Sequence, residues 1–238
     1  MRKRPYLRSK GVPGFTLQTY CPHEEQVNTS WPGREMKMKS SYTLYKELES
    51  LGLIDHRPAY WWPNAGTFEV VIGAVLTQNT TWHNVEKSLA NLEGYLTFEN
   101  FLTLDEERLK NCVRPSGFYN QKAPRLLALA KNIQKHFGTF EAFQKEVTRE
   151  WLLAQKGVGP ETADSILCYG CFREEMVVDS YTKRLLKNHG ITFGSYNAYK
   201  SYLEEGIREN IEKNIAMHFA RFHGMIVEYN KKIKPYKK

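Results

Sequence analysis

Apolar residues recur every three or four positions along most of the chain from residue 41 onward, which is the period of an amphipathic α-helix. Leu44, Leu48 and Leu51 share one face of the first such segment, and Gly52 suits its end. The stretch FEVVIGAVL after Thr67 is apolar nearly all round and predicts a buried helix. Further helices are predicted at 85–92, 104–112, 181–188, 196–207 and 211–229, with a long one that ends at residue 136. No strand pattern stands out, so we expect an all-α fold.

A glycine turn separates two helical patterns within residues 148–184. Gly157-Val158-Gly159 is followed by Pro160, which suits the first position of the second helix. This arrangement is a helix-hairpin-helix. Its turn directs backbone N–H groups and the positive end of a helix dipole outward, which favours a phosphate oxygen. Gly157, Val158 and Gly159 are therefore candidate contacts to DNA, and Lys156 adds a cation beside them.

Asp179 follows the apolar run Met176-Val177-Val178 and precedes a basic helix. Aspartate is a common N-cap, so Asp179 could simply begin that helix. The alternative, a catalytic carboxylate next to the hairpin, depends on the resemblance described below. From these residues alone both interpretations stay open.

Two segments carry polar and aromatic residues in an unusual density. Trp61, Trp62 and Pro63 lie in a proline-flanked segment that is kept out of a helix, and such rings fill satellite cores as well as base-stacking pockets. Gln78 and Asn79 follow the buried helix, where a solvated helix end is the simplest interpretation.

Charge and composition narrow the class of partner. The chain has 34 basic and 26 acidic residues and a formal charge of +8, which favours a polyanion through counterion release. No apolar run reaches the roughly 18 residues of a membrane span, and the basic start of the chain has no apolar segment behind it. We expect a cytoplasmic protein without a membrane partner, with a mobile extension over 1–40 and a basic tail over 231–238.

Cysteine and histidine residues show no metal-binding pattern. Cys168 and Cys171 form a C-x-x-C on the apolar second helix of the hairpin, and no second pair accompanies them, so buried thiols are the better interpretation. Cys21 and Cys112 lie far from them in the sequence, and no disulfide framework is expected. His218 and His223 are interpreted as core or interface histidines.

The hairpin, the helix after it and Val178-Asp179 together resemble the helix-hairpin-helix DNA glycosylases of the endonuclease III superfamily. The helix end at Gln78-Asn79 and the run GFYNQKA at 117–123 are two further matches. The resemblance covers roughly residues 41–230. It implies a DNA-binding cleft between a terminal helical domain (41–63 with 173–230) and a six-helix domain (64–172). Lys122, within the GFYNQKA run, is expected at the surface, where it could contact a phosphate.

The resemblance also implies roles for single residues. Asp179 takes the position of the catalytic carboxylate, Asn79 the position of a wedge that enters the duplex, and Gln78 lies beside it. The base pocket would include Trp61, Trp62, Pro63 and Trp82, and Lys231 could reach its mouth. Relatives that also cut the strand use a hairpin lysine, and Glu161 stands at that position. Because a carboxylate forms no imine, a monofunctional enzyme that uses water is expected.

The cofactor and substrate expectations follow from the same comparison. Many relatives hold an iron–sulfur cluster on four cysteines near the carboxyl end, and no cysteine follows Cys171, so no cluster is expected. A monovalent cation at the hairpin is compatible with the sequence.

The tryptophans favour a cationic base through cation–π attraction, and the chain looks like the endonuclease III-type 3-methyladenine glycosylases. The expected partner is double-stranded DNA with alkylated bases, bound by a monomer. Two alternatives stay open: a glycosylase for mispaired adenine or thymine or an oxidised base, and a DNA-binding module without catalysis.

Overall fold

The computed structural model describes residues 39–232, and these form twelve α-helices and no strand. The predicted all-α fold is confirmed. The mobile extension predicted for 1–40 lies outside the described residues except for its last two, and so does the basic tail except for its first two. The helices are α1 Ser41–Glu49, α2 Phe68–Leu76, α3 Trp82–Asn91, α4 Phe98–Phe101, α5 Glu106–Val113, α6 Tyr119–Phe137, α7 Phe140–Glu146, α8 Arg149–Leu153, α9 Pro160–Ser165, α10 Ser180–Asn188, α11 Tyr196–Arg208 and α12 Ile215–Lys232.

Polar caps set the start of most of these helices. In seven of them the residue before the first turn accepts a hydrogen bond from a backbone N–H two or three positions into the helix, which satisfies a donor that the helix leaves unpaired. Asp179 is one of these caps and begins α10. The cap therefore fixes the start of α10 at the residue that is also the candidate catalytic carboxylate.

Two of the predicted helix ends were wrong. Helix α1 ends at Glu49, so Leu51 lies in the turn beyond it and is 52% exposed instead of facing the core. Helix α12 begins at Ile215 and not at residue 211, because Ile211 N donates to Ile207 O and Asn214 takes a positive φ of 56°. Lys231, expected in the tail, belongs to the last turn of α12.

The buried side chains form two large clusters. One draws on residues between 68 and 171, and the other on residues 44–54 and 176–226. Residues 64–172 contain eight α-helices where the resemblance implies six, and two of the eight, α4 and α8, have only four and five residues. The division into two domains stays a prediction. A third, smaller cluster contains residues from both stretches: Trp62, Val70, Cys168, Tyr169, Val177 and Ala220.

Helix α9 continues directly into a π-helical turn, Ile166–Gly170, whose residues are all buried. Cys171 N donates to Ile166 O at 3.1 Å, which is the wider spacing of a π turn. Cys168 and Cys171, within and just after this turn, are free and buried. The turn places Tyr169 against α12, where its hydroxyl meets His223.

A buried charge network fixes the segment that leads to Asp179. Asp164 on α9 is fully buried and accepts hydrogen bonds from Arg149 Nε at 2.6 Å and from the Tyr196 hydroxyl at 2.8 Å. Lys200 Nζ lies 3.2 Å from the same carboxylate. The Tyr196 oxygen in turn accepts from Val178 N at 3.3 Å. The network therefore ties the hairpin helix and α11 to the residue immediately before Asp179.

None of the helices within residues 39–232 is both long and apolar enough to cross a membrane.

Candidate active site

A cavity of about 460 Å³ opens beside Asp179. It is walled by the proline-flanked aromatic segment, the end of α2 and the start of α3, the hairpin helix α9, the start of α10 and the last turns of α12. Every residue predicted for the base pocket lies on this cavity together with Asp179: Trp61, Trp62, Pro63, Trp82 and Lys231.

Three tryptophans form the aromatic wall of the cavity. The Trp62 ring meets the Trp82 ring edge-on at 5.4 Å and the Trp61 ring at 6.3 Å. Trp62 is only 7% exposed and belongs to the small central cluster, whereas Trp61 and Trp82 are half-buried. The core interpretation is thus confirmed for Trp62, whereas Trp61 and Trp82 present surface to the cavity, and base stacking on them stays a prediction.

Trp61 takes its position through two backbone features. Its own φ is positive, 62°, and its ring lies against Gly224 of α12, where a Cβ would meet the ring at 2.3 Å. Only glycine permits so close an approach between the helix and the indole.

The two carboxylate oxygens of Asp179 have different partners. Oδ1 accepts hydrogen bonds from Thr182 N at 2.7 Å and from the Thr182 hydroxyl at 2.9 Å, which is the N-cap of α10. Oδ2 lies 3.4 Å from His223 Nε2. Burial acts to raise the pKa of Asp179, but His223 and the Thr182 donors outweigh it and hold the pKa below its ordinary value. The capping role and a catalytic role are thus compatible, because they use different oxygens.

Glu161 projects from the first turn of α9 into the same cavity. Desolvation in the cleft and the neighbouring charge of Asp179 raise the pKa of Glu161, while His223 and Lys183 lower it. Since the residue keeps solvent exposure, water screens part of this effect. The hairpin position at which the resemblance implies a lysine in strand-cutting relatives therefore presents a carboxyl group to the cavity.

The cavity carries more negative than positive side chains. Its lining includes the carboxylates of Glu86, Glu161, Asp179 and Glu228, against the cations of Arg57 and Lys231. Lys231 Nζ lies 5.9 Å from the centre of the Trp61 ring and 3.1 Å from Glu228 Oε1. A positively charged base would find both acidic and aromatic partners here.

The hairpin turn lies between α8 and α9. Gly157 has φ 86°, a backbone conformation that favours glycine, and a Cβ there would also meet the Arg125 side chain, with Cδ at 2.5 Å. Gly159 has an ordinary φ and open space around it. The N–H groups of both glycines make no hydrogen bond with another described residue. They remain free to donate to an anion.

The other two predicted hairpin contacts differ from each other. Lys156 is exposed. Val158 is 8% exposed, packs in the first large cluster and donates its N–H to Gln155 O at 3.1 Å. In this structure Val158 anchors the turn to the first large cluster, and its contact with DNA stays a prediction.

The structure also separates Gln78 from Asn79. Gln78 Nε2 donates to Gly157 O and to Thr162 Oγ1, each at 2.9 Å, so this side chain ties the end of α2 to the hairpin. Asn79 is exposed, has a φ of 54° and makes no hydrogen bond with the described residues. Asn79 is thus an exposed residue next to an anchored one, and its role as a wedge stays a prediction.

The prediction for Lys122 was wrong. Its side chain is 2% exposed, and its Nζ donates to Leu76 O and to Ser116 O, each at 2.8 Å. Burial lowers the pKa of Lys122 to about 8. The two carbonyls belong to the end of α2 and to the turn before α6, so Lys122 joins these two segments and contacts no phosphate.

Sequence reasoning missed Phe118. This residue is 59% exposed and has a φ of 48°, two features that rarely coincide in a large apolar side chain. Its loop is joined through Lys122 to the helix end that carries Asn79. The signal in the sequence was an apolar residue directly after a glycine in an otherwise polar run.

Sequence reasoning also missed the role of His223. It was assigned to the core, and it is indeed only 4% exposed, but it lies beside Asp179 and lines the cavity. His218 is half-buried and binds the Tyr45 hydroxyl at 2.8 Å, away from the cavity. The signal was the position of His223 on the apolar stripe of α12, where a polar side chain needs a buried partner.

Within residues 39–232 no group of three or more histidine, cysteine or acidic side chains is arranged to hold a metal ion.

Comparisons with known proteins agree on one family. The sequence model of one protein family, the HhH-GPD superfamily base excision DNA repair proteins, matches residues 72–212 of this chain. A candidate DNA repair glycosylase of Methanocaldococcus jannaschii is 40% identical over 206 residues, which is 84% of this chain and 90% of that protein. Endonuclease III of Thermotoga maritima is 26% identical over 167 residues, 70% of this chain and 74% of its own length.

Solved structures give the same result. The H. pylori 3-methyladenine DNA glycosylase bound to 1,N6-ethenoadenine is 46% identical, with a TM-score of 0.78 over 82% of this chain and 100% of that one. A non-covalent endonuclease III–DNA complex is 20% identical, with a TM-score of 0.65 over 84% and 90% of the two chains, and this likeness concerns the fold alone.

Proposed function

Because the chain belongs to the HhH-GPD superfamily of base excision DNA repair proteins, we propose that it is a monofunctional glycosylase for alkylated purines such as 3-methyladenine. Its general activity, that of a DNA glycosylase in base excision repair, follows from the family and its relatives. The proposal concerns the base that is removed and the water that replaces it.

One observation carries the choice of base: the cavity combines three tryptophans with an excess of carboxylates. Methylation at N3 or N7 makes a purine cationic, and a cation over an aromatic face gains about 0.5 to 2 kcal/mol. A cationic base is also a good leaving group, so the site needs no strong general acid. The 46% identical H. pylori enzyme, a 3-methyladenine glycosylase, supports the same choice.

The proposed reaction begins with extrusion of the nucleotide, which costs a few kcal/mol and least at a damaged base. Cleavage of the glycosidic bond leaves positive charge on the sugar. The Asp179 carboxylate, whose pKa is held below its ordinary value, stabilises that charge as an anion and can orient or deprotonate the attacking water. The product is an abasic site.

Surface features of the hairpin side support DNA binding. The free N–H groups of Gly157 and Gly159 can donate to a phosphate, and the exposed cation Lys156 lies beside them. Asn79 and Phe118 project from two loops that Lys122 joins, and they would enter the duplex at the gap left by the extruded nucleotide.

The absence of strand cutting rests on which amines reach the cavity. Glu161 occupies the hairpin position of the nucleophilic lysine, and Lys231 is the lysine that lines the cavity within the described residues. Lys231 is paired with Glu228 at the cavity mouth. We propose that neither group forms an imine with the sugar and that water is the nucleophile.

A lesion panel tests the proposal. Duplexes that each carry one base are compared in single-turnover assays: 3-methyladenine, 7-methylguanine, 8-oxoguanine, adenine opposite 8-oxoguanine, and thymine opposite guanine. Release of the methylated purines above all others is expected. Preferential release of an oxidised or mispaired base would overturn the choice of substrate, and binding without any release would favour a DNA-binding module without catalysis.

Borohydride trapping tests the mechanism separately. Wild-type protein and Lys231→Met are each incubated with borohydride and the duplex whose base the wild type releases. Covalent protein–DNA adducts are then resolved by electrophoresis. No adduct is expected from either. An adduct in the wild type that disappears in Lys231→Met would contradict the monofunctional mechanism and identify the amine.

A further inference from the structure

Within residues 39–232, His223 Nε2 is the one buried side-chain nitrogen or oxygen without a hydrogen-bond partner. It lies 3.4 Å from Asp179 Oδ2, within the range of an ion pair, but the ring N–H is not aligned well enough for a hydrogen bond. An unpaired buried polar atom is costly and needs an explanation. Here the atom faces the carboxylate on which the proposed reaction depends.

The other ring nitrogen of His223 is firmly held. The Tyr169 hydroxyl lies 2.6 Å from His223 Nδ1, and its alternative acceptor, Ala220 O, lies at 3.3 Å. A hydroxyl has one proton, and the shorter contact favours His223 Nδ1 as its acceptor, because the opposite assignment would turn the lone pair of Nε2 toward the Asp179 carboxylate. Desolvation, with the neighbouring Cys168 and Asp179, raises the pKa of Tyr169 well above its ordinary value, so the hydroxyl keeps that proton.

A Tyr169 hydroxyl that donates to Nδ1 leaves the ring proton of neutral His223 on Nε2. That N–H then faces Asp179 Oδ2, while Oδ1 is held by Thr182. The imidazole and the Trp61 ring meet edge to face at 5.6 Å and 88°, and Gly224, the next residue of α12, contacts the same indole. The ring is therefore fixed on three sides with its free N–H toward the carboxylate.

We propose that His223, set in the Nε2–H tautomer by Tyr169, is a positioning residue that keeps Asp179 ionised and directs Oδ2 toward the reacting sugar or water. The inference rests on the proposed role of Asp179 and deepens it. Hydrogen bonds that are long in the free enzyme commonly shorten when substrate is bound, and the 3.4 Å separation is of that kind. His223 itself donates no proton to the leaving base.

Other charged groups near Asp179 also affect its ionisation. Asp179 and His223 are faced by Glu161 from α9, with Lys183 near it on α10, and by Tyr169 from the π turn. The charged side chains farther out on the cavity are Arg57, Glu86, Glu228 and Lys231. None of these contacts Oδ2 as closely as His223, so removal of His223 should have the largest effect on the ionisation of Asp179.

The main experiment is the pH profile of the single-turnover rate for His223→Phe, measured on whichever base the wild type excises. His223 helps to lower the pKa of Asp179, so its loss raises that pKa and moves the acid limb of the profile to higher pH. Near neutral pH the rate should fall roughly 10- to 100-fold, the effect of one hydrogen bond to a charged group, and the deficit should shrink as the pH rises. DNA affinity should stay within about twofold.

The chain offers a matched control on the same helix. His218 is also paired through Nδ1 with a tyrosine hydroxyl, that of Tyr45, and it does not line the cavity. His218→Phe should leave the acid limb where it is in the wild type. Equal pH profiles for His223→Phe and His218→Phe would overturn the proposal, and so would an equal rate loss at every pH.

Two more variants separate positioning from packing. His223→Gln keeps an N–H donor near the position of Nε2 and should recover part of the rate and of the acid limb. Tyr169→Phe removes the tautomer lock and should give a smaller shift in the same direction, with no further loss when it is combined with His223→Phe. Additive losses in the double variant would contradict the shared mechanism.

A measurement without substrate keeps this inference distinct from the proposed function. ¹⁵N NMR of the imidazole nitrogens should show the Nε2–H tautomer for His223 in the wild type and a mixture in Tyr169→Phe. If no methylated purine is released but the tautomer and its dependence on Tyr169 are observed, the proposed substrate fails and the His223 arrangement stands. If purines are released but His223 is in the other tautomer, the function stands and the inference fails.

Discussion

The cavity and the hairpin surface of this protein carry opposite charge. Four carboxylates and two cations line the cavity, whereas Lys156 of the hairpin turn and Arg125 of α6, which lies against Gly157, form no ion pair within residues 39–232. A formal charge of +8 for the whole chain hides this separation. The difference indicates how one molecule can hold a polyanion on one surface and accept a cationic base in the other.

The two regions also differ in what a substitution should change. Under the proposed function the cavity residues act on the extruded base and the sugar, so their loss should lower the rate of excision and leave DNA affinity unchanged. Under the same proposal the hairpin residues bind the DNA backbone in the ground state and in the transition state alike, so their loss should weaken binding. The following predictions test that division.

The largest effect is expected for Asp179→Asn. Asparagine also caps helices and can accept from Thr182 N, so the variant should fold normally while the negative charge disappears. The single-turnover rate should fall by roughly 100-fold or more, with the dissociation constant for DNA unchanged.

Asp105→Asn is the matched control for this variant. Asp105 is the N-cap of α5, where its Oδ1 accepts from Arg108 N at 2.7 Å, and it is remote from the cavity. Its substitution should leave the rate unchanged. An Asp179→Asn enzyme that works within about threefold of the wild type would remove Asp179 from the reaction.

A smaller effect, on binding, is expected for Gly157→Ala. A Cβ there strains a backbone with φ 86°, and this strain remains even if the flexible Arg125 side chain moves aside, so we expect the turn and its free N–H groups to shift. DNA affinity, measured by fluorescence anisotropy, should fall by roughly tenfold, the equivalent of about 1.4 kcal/mol, and the rate at saturating protein should change little.

Gly94→Ala is the control that separates the effect of backbone strain on stability from the effect of the hairpin on DNA binding. Gly94 has φ 85°, almost the same backbone, with nothing near a Cβ. It should lose a similar amount of stability without loss of DNA affinity. Equal affinity losses in both variants would show that the hairpin has no special part in binding.

The smallest effect on activity is expected at the end of α2, where two neighbours should behave differently. Gln78→Ala removes two hydrogen bonds to the hairpin and should lower the free energy of unfolding by about 1 to 2 kcal/mol in a denaturant titration. Asn79→Ala should leave stability unchanged, because its side chain makes no hydrogen bond with the described residues, and should slow excision about fivefold if Asn79 is the proposed wedge. If instead Gln78→Ala slows excision and Asn79→Ala lowers stability, Gln78 is the residue that acts on DNA and Asn79 the structural one.

Features that depend on local sequence were predictable. The hairpin turn, the buried helix α2 and the position of Asp179 at the start of α10 follow from glycine conformations, apolar periodicity and capping, all of which act over a few residues. The predicted pocket residues Trp61, Trp62, Pro63 and Trp82 also meet on one cavity, but that expectation came from the resemblance and not from periodicity.

Features that depend on distant contacts were not predictable. Lys122 looks like a surface lysine because nothing nearby in the sequence reveals that Leu76 O, 46 residues away, needs a donor. His223 meets Tyr169 and Asp179, which are 54 and 44 residues distant. A pattern of apolar positions reports that such a side chain is buried, but it does not report what lies beside it.

The π turn at Ile166–Gly170 has a consequence for how the site could have arisen. Such a turn is equivalent to an α-helix that has gained one residue, and each residue of an α-helix rotates the next by about 100°. An ancestor without the extra residue would have had Tyr169 on another side of the helix, out of reach of His223, with the hairpin before it unaltered. One insertion of this kind would connect the proposed phosphate-binding turn, through Tyr169 and His223, to Asp179 without a change in the residues of the turn or in the carboxylate itself.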